Sequence, residues 1–182
     1  LLREADVIMF QLEIPIETVL YGARIGKELG KTVILDPAPV PKAFPEELYR
    51  YVDVIKPNET ELQMLTGIAE IEEHLPEAAE WLRRRGVRNI LVTLGEKGVY
   101  LEAEGEEACR IEAVKVETVD TTAAGDSFTA AFAVMLAEGK SMKEAAVFAN
   151  YVSALVVTRK GAQSSIPSLA EVAAFIREKM FL

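Results

Sequence analysis

A run of small residues followed by a carboxylate is the strongest chemical signal in this 182-residue chain. The run extends from Asp120 to Phe128 and stands where a stretch with helical spacing begins, and the start of a helix offers backbone N–H groups to an anion. Small side chains let a phosphate approach those groups, and Asp126 beside them could take a proton from an attacking hydroxyl. Alternatively, Asp126 complements the helix dipole and the small residues allow tight packing. The residue types alone leave both interpretations open.

The elements around this run alternate between strand and helix. Stretches with helical spacing separate four apolar runs of strand length, at residues 7–10, 32–35, 52–55 and 90–93. Because such strands are buried on both faces, the pattern predicts a three-layer α/β/α fold with a mostly parallel sheet. Two short apolar runs around an acidic turn predict an antiparallel hairpin between residues 98 and 118, and the last third is predicted to be helical. We expect a single domain over residues 1–182.

Composition narrows the classes of partner and cofactor. The formal net charge is −9, which argues against nucleic acid or an anionic membrane as a partner but not against a locally bound phosphate. The chain has one cysteine and one histidine, too few for a disulfide framework or a metal centre built from these residues. No apolar run approaches the roughly 18 residues that span a bilayer, and the first residues do not resemble a signal peptide. A cytoplasmic protein is expected. A P-loop motif is absent from the sequence.

The run at residues 120–128 resembles the signature of the ribokinase-like (PfkB) carbohydrate kinases, whose motif ends in Gly-Asp. Further segments that resemble the family follow in its order, at residues 11–15, 36–39, 56–61, 93–98 and 158–163. Many members have glycine where Ala123 stands, and we expect its methyl group to cost little if φ there is negative. The resemblance implies a ribokinase-like fold and ATP-dependent transfer of the γ-phosphate to the primary hydroxyl of a sugar. The last segment points to D-ribose, giving ribose 5-phosphate, with another sugar or a nucleoside as the alternative.

The resemblance also implies roles for single residues. Asp126 corresponds to the catalytic base that deprotonates the sugar hydroxyl, and the N–H groups of Ala123, Ala124 and Gly125 correspond to the anion hole for the transferring phosphoryl group. Glu13 corresponds to a glutamate that contacts the sugar. Asn150 falls where the family approaches the adenine, although a single asparagine is also an ordinary polar position on a helix. The loop along the nucleotide corresponds to Thr93, Leu94, Gly95, Glu96, Lys97 and Gly98.

Two cation sites follow from the same resemblance. Asn58 and Glu61 match an Asn-x-x-Glu motif that helps to place Mg²⁺ and the phosphates, but this spacing also suits a cap pairing at a helix start, and both roles could hold. A monovalent cation, usually K⁺, is implied beside the anion hole, where backbone carbonyls supply most of the hard oxygen ligands. The residues that match this site are Asp120, Thr122, Val156, Arg159, Gly161 and Ser165. Without the resemblance, Arg159 would be interpreted as a cation that complements the dipole at a helix C-terminus.

The resemblance covers the C-terminal part of a full-length kinase, about three-fifths of it. The N-terminal strands, the lid over the sugar and a Gly-Gly sugar-binding motif lack counterparts, and the sequence contains no Gly-Gly pair. One interpretation is therefore an active sugar kinase, or its nucleotide-binding and catalytic part, with sugar and nucleotide as partners and a homodimer in the full-length context. The other is a half-domain without catalysis that binds nucleotide or serves assembly.

Overall fold

A computed structural model describes residues 2–180, and within this range six strands form one sheet in chain order. The strands are β1 (Val7–Phe10), β2 (Thr32–Leu35), β3 (Val54–Ile55), β4 (Asn89–Thr93), β5 (Val99–Glu102) and β6 (Cys109–Ile111). Strands β1 to β4 pair in parallel, with Val7 opposite Thr32, Ile34 opposite Val54 and Ile55 opposite Ile90. The mostly parallel α/β fold is confirmed.

Helices lie between strands and over the last third of the chain, as the sequence pattern predicts. They are α1 (Ile16–Glu28), α2 (Glu59–Thr66), α3 (Leu75–Arg83), α4 (Ala124–Ala137), α5 (Met142–Val156) and α6 (Leu169–Met180). Gly30 and Gly67 follow the ends of α1 and α2 with φ of +69° and +73°, the left-handed conformation that a side chain disfavours. These two glycines therefore fix where each helix stops.

The predicted third strand is shorter than expected, since only Val54 and Ile55 of the run 52–55 are in β3. Residues 46–51 form a 3₁₀ helix, and the N–H of Val52 donates to the carbonyl of Tyr49 to close it. Asp53 precedes β3 and still bonds to β2, since its N–H donates to the carbonyl of Val33 at 2.9 Å and its Oδ2 accepts the N–H of Val33 at 3.0 Å. The local turn thus involves Val52, and the regular strand begins at Val54.

Strands β4, β5 and β6 are joined by residues 94–98 and 103–108. Connections this short cannot make a parallel crossover, which needs about a dozen residues, so these neighbours run antiparallel. Gly105 occupies the second turn with φ of +80°. This arrangement matches the predicted hairpin.

The described residues form two compact units. Unit 1 comprises residues 2–94 and 100–110, and its core is built from the apolar strands with Val19, Leu62 and Leu82 of the flanking helices. Unit 2 comprises residues 95–99 and 111–180, and it packs α4 against α5, with α6 covering Val152, Leu155 and Val156. That the chain is a single domain remains a prediction.

Candidate active site

In unit 1 the predicted site residues follow the carboxyl ends of parallel strands, the edge at which open α/β sheets bind ligands. Glu13 comes shortly after β1 and is exposed, while Asn58 comes after β3. Asn58 forms an isolated parallel bridge with Thr93 at the end of β4, and the N–H of Thr93 donates to the carbonyl of Pro57 at 3.1 Å. The structure therefore brings Asn58 and Thr93 together at this edge.

Asn58 and Glu61 form a complete capping box at the start of α2. The N–H of Glu61 donates to Asn58 Oδ1 at 2.8 Å, and Glu61 accepts from the backbone and side-chain N–H groups of Asn58 at 2.8 and 2.9 Å. Burial raises the pKa of Glu61, and the bond from the Asn58 backbone opposes that shift. The capping role is thus present. The carboxylate keeps further lone pairs, so a role towards a cation is chemically compatible with it.

Helix α4 begins at the run that carries the strongest chemical signal. Ala123 precedes the helix with φ of 62° and ψ of 9°, so the condition under which its methyl group is expected to cost little, a negative φ, is not met. A residue with a side chain adopts this left-handed conformation at a cost of about 1–2 kcal/mol. The carbonyl of Ala123 accepts the N–H of Ser127 at 2.9 Å.

The first turn of α4 contains Ala124, Gly125 and Asp126, whose N–H groups precede the intrahelical bonding pattern. The N–H of Ala124 donates to the carbonyl of Thr121 at 3.2 Å, a long bond. Asp126 is exposed in this turn, where its charge complements the helix dipole. This geometry suits both interpretations of Asp126, as a dipole partner and as a base.

A cavity of 760 Å³ lies within unit 2, a size typical of small-molecule sites. It brings together residues that the resemblance assigns to the nucleotide, namely Gly95, Glu96, Lys97, Ala124 and Asn150. The remaining walls come from Ala113, Val114, Lys115, Val116, Thr118, Thr121, Ser153, Ala154 and Val157. Residues 113–118 have no regular secondary structure and no side-chain periodicity, so no sequence signal identified them.

Two residues of α5 hold the cavity walls. Asn150 is 9% exposed and its Nδ2 donates to the carbonyl of Glu112 at 2.8 Å. One turn later, the hydroxyl of Ser153 donates to the carbonyl of Ala124 at 3.2 Å, at the start of α4. Asn150 is therefore no ordinary solvent-facing position, because it fixes the backbone beside the cavity. Contact with an adenine stays a prediction.

Gly98 closes the loop that lines this cavity, and only glycine fits there. Its N–H donates to the carbonyl of Gly95, its φ is +90°, and a Cβ would lie 2.0 Å from the carbonyl oxygen of Ile111. Thr93 and Leu94, the first two residues of the predicted nucleotide loop, belong to unit 1.

Asp120 is the centre of the region predicted to bind a monovalent cation. Its Oδ2 accepts the N–H of Gly161 at 2.9 Å, and its Oδ1 accepts the N–H and the hydroxyl of Thr122 at 2.9 and 2.7 Å. These bonds, the one from Gly161 above all, lower the pKa of Asp120 to about 2. The structure therefore joins Asp120, Thr122 and Gly161 directly.

The other residues predicted for this cation make contacts of their own. The carbonyl of Val156 accepts the N–H of Arg159, whose guanidinium donates to Glu171 at 2.8 Å. Ser165 is fully buried and its hydroxyl donates to the carbonyl of Ala162 at 2.7 Å. Among residues 2–180, no cluster of three or more His, Cys, Asp or Glu side chains is arranged to hold a metal ion. Any cation here would therefore depend on backbone carbonyl and hydroxyl oxygens together with the carboxylate of Asp120.

Over the same described range, every helix is too short or too polar to cross a bilayer.

Comparison with known proteins adds independent findings. The profile described as pfkB family carbohydrate kinase matches residues 2–169. The ribokinase of Haemophilus influenzae is 39% identical over 176 residues, which are 96% of this chain and 57% of the relative. The ribokinase of Staphylococcus aureus is 41% identical over 170 residues, covering 92% of this chain and 55% of the relative. The chain thus spans little more than half the length of these curated relatives.

A solved structure of Arabidopsis thaliana ribokinase, complexed with ribose and ATP, aligns with a TM-score of 0.91 at 38% sequence identity. The alignment covers 97% of this chain and 57% of that chain. Its extent means that both units have counterparts in the known structure.

Proposed function

Because the chain belongs to the pfkB family of carbohydrate kinases, we propose that the protein transfers the γ-phosphate of ATP to the primary hydroxyl of a sugar. D-Ribose is the proposed sugar and ribose 5-phosphate the product, since relatives at about 40% identity are ribokinases. The observation that carries this proposal is the cavity of unit 2. It collects the nucleotide loop, Asn150 and the start of α4, two residues before Asp126.

The cavity has the chemistry that a nucleoside triphosphate requires. Lys97 and Lys115 line it together with the one carboxylate of Glu96, so the lining carries a net positive charge in a chain whose net charge is −9. The start of α4 offers backbone N–H groups and the positive end of a helix dipole to the phosphates. Asn150, buried on α5, is proposed to lie near the base. The Arabidopsis ribokinase complexed with ribose and ATP supports a nucleotide site in this fold.

In the proposed reaction, Asp126 takes the proton of the sugar's primary hydroxyl. The hydroxyl oxygen forms a bond to the γ-phosphorus as the bond to the bridging oxygen breaks, and ADP leaves with that electron pair. The N–H groups of Ala123, Ala124 and Gly125 stabilise the charge on the transferring phosphoryl group. Glu13 is proposed to contact the sugar.

Two cations complete the proposal. Asn58 and Glu61 would help to hold Mg²⁺, because their amide and carboxylate oxygens are the ligand type that this ion prefers. A monovalent cation such as K⁺ would lie among the oxygens around Asp120, Thr122, Val156, Arg159, Gly161 and Ser165. When bound, both ions supply positive charge that offsets the charge of the phosphates. For the full-length protein we propose a homodimer, as the resemblance implies.

Sugar-dependent release of ADP tests this function. Purified protein is given ATP, Mg²⁺ and K⁺, and ADP is measured with D-ribose, with other sugars and nucleosides, and with no acceptor. The proposal expects ADP release that requires an acceptor and is fastest with D-ribose. A faster rate with another acceptor would correct the sugar. The absence of acceptor-dependent release, in protein that binds ATP, would contradict the kinase and support a nucleotide-binding module.

A further inference from the structure

An ion pair lies almost fully buried in unit 1 at the carboxyl ends of β2 and β3. Lys56 Nζ is 2.7 Å from Asp36 Oδ2, and the two side chains are 5% and 3% exposed. Each residue directly follows its strand and extends the backbone ladder by one step. The N–H of Asp36 donates to the carbonyl of Phe10 at 2.9 Å, and that of Lys56 to the carbonyl of Leu35 at 2.8 Å. Backbone and side chains thus join the two strand ends at one point.

A buried pair of charges is a poor means of stabilising a sheet. Both groups lose their hydration, and well-packed apolar residues in the same volume usually serve stability as well or better. The residues that precede the pair, Leu35 and Ile55, are apolar and fully buried. Stability alone therefore does not explain a lysine and an aspartate at the next position of each strand.

The two residues after Lys56 in the chain indicate a different role. The carbonyl of Pro57 accepts the N–H of Thr93, and Asn58 bridges Thr93 at the end of β4. Residues 56–58 are consequently held on one side by Asp36 and on the other side by β4. Asn58 then begins α2 and makes three hydrogen bonds with Glu61.

We propose that Asp36 and Lys56 are positioning residues, whose ion pair fixes Asn58 and Glu61 at the height on the sheet edge at which their oxygens would hold Mg²⁺. This inference rests on the proposed function. Neither residue needs to touch the ligand, because the pair acts through the backbone of residues 56–58. A binding constellation loses much of its affinity when its supporting residues no longer hold it within a fraction of an ångström.

The test compares ATP affinity with and without Mg²⁺, measured by calorimetry on the complete natural protein. In the variant D36N/K56M the pair becomes neutral with little change in volume, so no unpaired charge is left in the core. We expect the affinity for ATP in EDTA to stay unchanged and the gain in affinity on adding Mg²⁺ to fall about tenfold. A thermal unfolding midpoint close to that of the wild type would show that the fold is kept.

A second ion pair of unit 1 supplies the matched control. Lys27 pairs with Asp53 near the amino ends of β2 and β3, away from Asn58. The variant K27M/D53N removes this pair, and we expect it to lower the unfolding midpoint while leaving the gain from Mg²⁺ at its wild-type value. Equal effects of the two double variants on that gain would overturn the positioning role.

The positioning role would also be overturned if folded D36N/K56M gained as much ATP affinity from Mg²⁺ as the wild type does. If this variant does not fold, the variant D36E provides the test, because it keeps both charges of the pair and lengthens the acidic side chain by one methylene. We expect about a threefold smaller gain from Mg²⁺ in D36E, and an unchanged gain would contradict the proposal. A wild-type protein that binds MgATP but releases no ADP with any acceptor would instead overturn the proposed function, while the Mg²⁺ measurements would still test the positioning role.

Discussion

Unit 1 and unit 2 each contain a buried asparagine, Asn89 and Asn150, and the side chains of these two residues fix different parts of the structure. Each is 9% exposed, and each donates its Nδ2 to a backbone carbonyl, Asn89 to Asp53 at 2.9 Å and Asn150 to Glu112 at 2.8 Å. Asn89 also accepts the N–H of Glu104 and belongs to strand β4, so it fastens parts of a regular sheet. Asn150 fastens an irregular segment that continues into the cavity wall.

The difference extends to the two units as wholes. In unit 1 the candidate site residues stand on strand ends and helix caps, whose positions are set by a ladder of backbone bonds and an apolar core. In unit 2 they lie on loops and a helix start that are held by single side chains, among them Asn150, Ser153 and Asp120. We therefore expect the loss of the Asn89 side chain, which joins parts of the sheet, to act mainly on stability, and the loss of the Asn150 side chain, which holds a wall of the cavity, to act mainly on ligand binding.

The largest expected effect is on turnover in unit 2. Asp126→Asn removes the proposed base, and we expect kcat to fall by about 10²- to 10⁴-fold. Because Asp126 is exposed and only its charge is removed, the unfolding midpoint and the ATP dissociation constant should change little. Rapid-quench measurement of product formation, with ATP binding measured separately, checks both parts.

Glu138→Gln is the control for this substitution, since it removes an exposed carboxylate at the other end of α4. Its kcat should equal that of the wild type. Full turnover in Asp126→Asn would contradict the base and leave Asp126 as a partner of the helix dipole.

A second comparison uses two glycines with positive φ, Gly98 in unit 2 and Gly105 in unit 1. A Cβ at Gly98 would collide with the backbone of residues 111–113, whereas nothing lies within 4 Å of a Cβ at Gly105. We expect Gly98→Ala to lower the free energy of unfolding by about 3 kcal/mol or more, and Gly105→Ala by about 1 kcal/mol. Chemical denaturation measures both. Equal losses would mean that the close approach at Gly98 relaxes without cost.

The two asparagines provide the most direct test of the contrast between the units. Asn150→Ala should weaken ATP binding about tenfold, because the wall at Glu112 loses its anchor. Asn89→Ala should leave ATP binding unchanged and lower the free energy of unfolding by about 1–3 kcal/mol, since two bonds of the sheet are lost. Calorimetric titration measures the ATP dissociation constant of both variants, and chemical denaturation measures their free energies of unfolding. The contrast fails if Asn89→Ala weakens ATP binding as strongly as Asn150→Ala.

Ala123→Gly should have a smaller effect on stability than the preceding substitutions, and it should raise rather than lower the free energy of unfolding. A glycine adopts the observed φ of 62° without steric cost, so we expect a gain of about 0.5–1 kcal/mol in the free energy of unfolding, after the larger entropy of the unfolded glycine is subtracted. A loss of stability, measured by denaturation, would show that the alanine methyl makes a packing contact worth more than the backbone strain.

The smallest expected effect concerns pH and the capping box at α5. Bonds from the backbone N–H and the hydroxyl of Ser141 lower the pKa of Glu144. A pKa that is lower in the folded state means that the carboxylate adds stability above its unfolded pKa, and that this contribution is lost as the pH falls through the folded pKa. Glu144→Gln should therefore lower the unfolding midpoint slightly at neutral pH and converge with the wild type in acid. A difference that persists in acid would contradict this cause.

Unit 1 could be predicted from the sequence more completely than unit 2. Four apolar runs indicated the parallel strands, because periodicity is a local signal. The glycines that end α1 and α2 in the left-handed conformation, Gly30 and Gly67, are a local signal of the same kind. The shortening of β3 was missed, since the 3₁₀ helix before it closes with a bond from the N–H of Val52, the first residue of the predicted strand.

In unit 2 the helices were predictable, but the cavity walls were not. Residues 113–118 have no period, and their place depends on a bond from Asn150, which is 38 residues away from Glu112 in the chain. The left-handed Ala123 was missed because alanine carries no preference for that conformation. The sequence did not predict the buried ion pair of Asp36 and Lys56, since local residue spacing does not indicate which side chains meet across a sheet.

The central claim is that the cavity of unit 2 binds the nucleotide. Titration of isotope-labelled protein with ATP and Mg²⁺, followed by NMR of the backbone amides, tests this claim residue by residue. We expect saturable shifts that are largest at Gly95, Lys97, Val116, Gly125 and Asn150. Saturable shifts that leave these amides unmoved and cluster elsewhere would contradict the nucleotide site, and with it the proposed kinase mechanism.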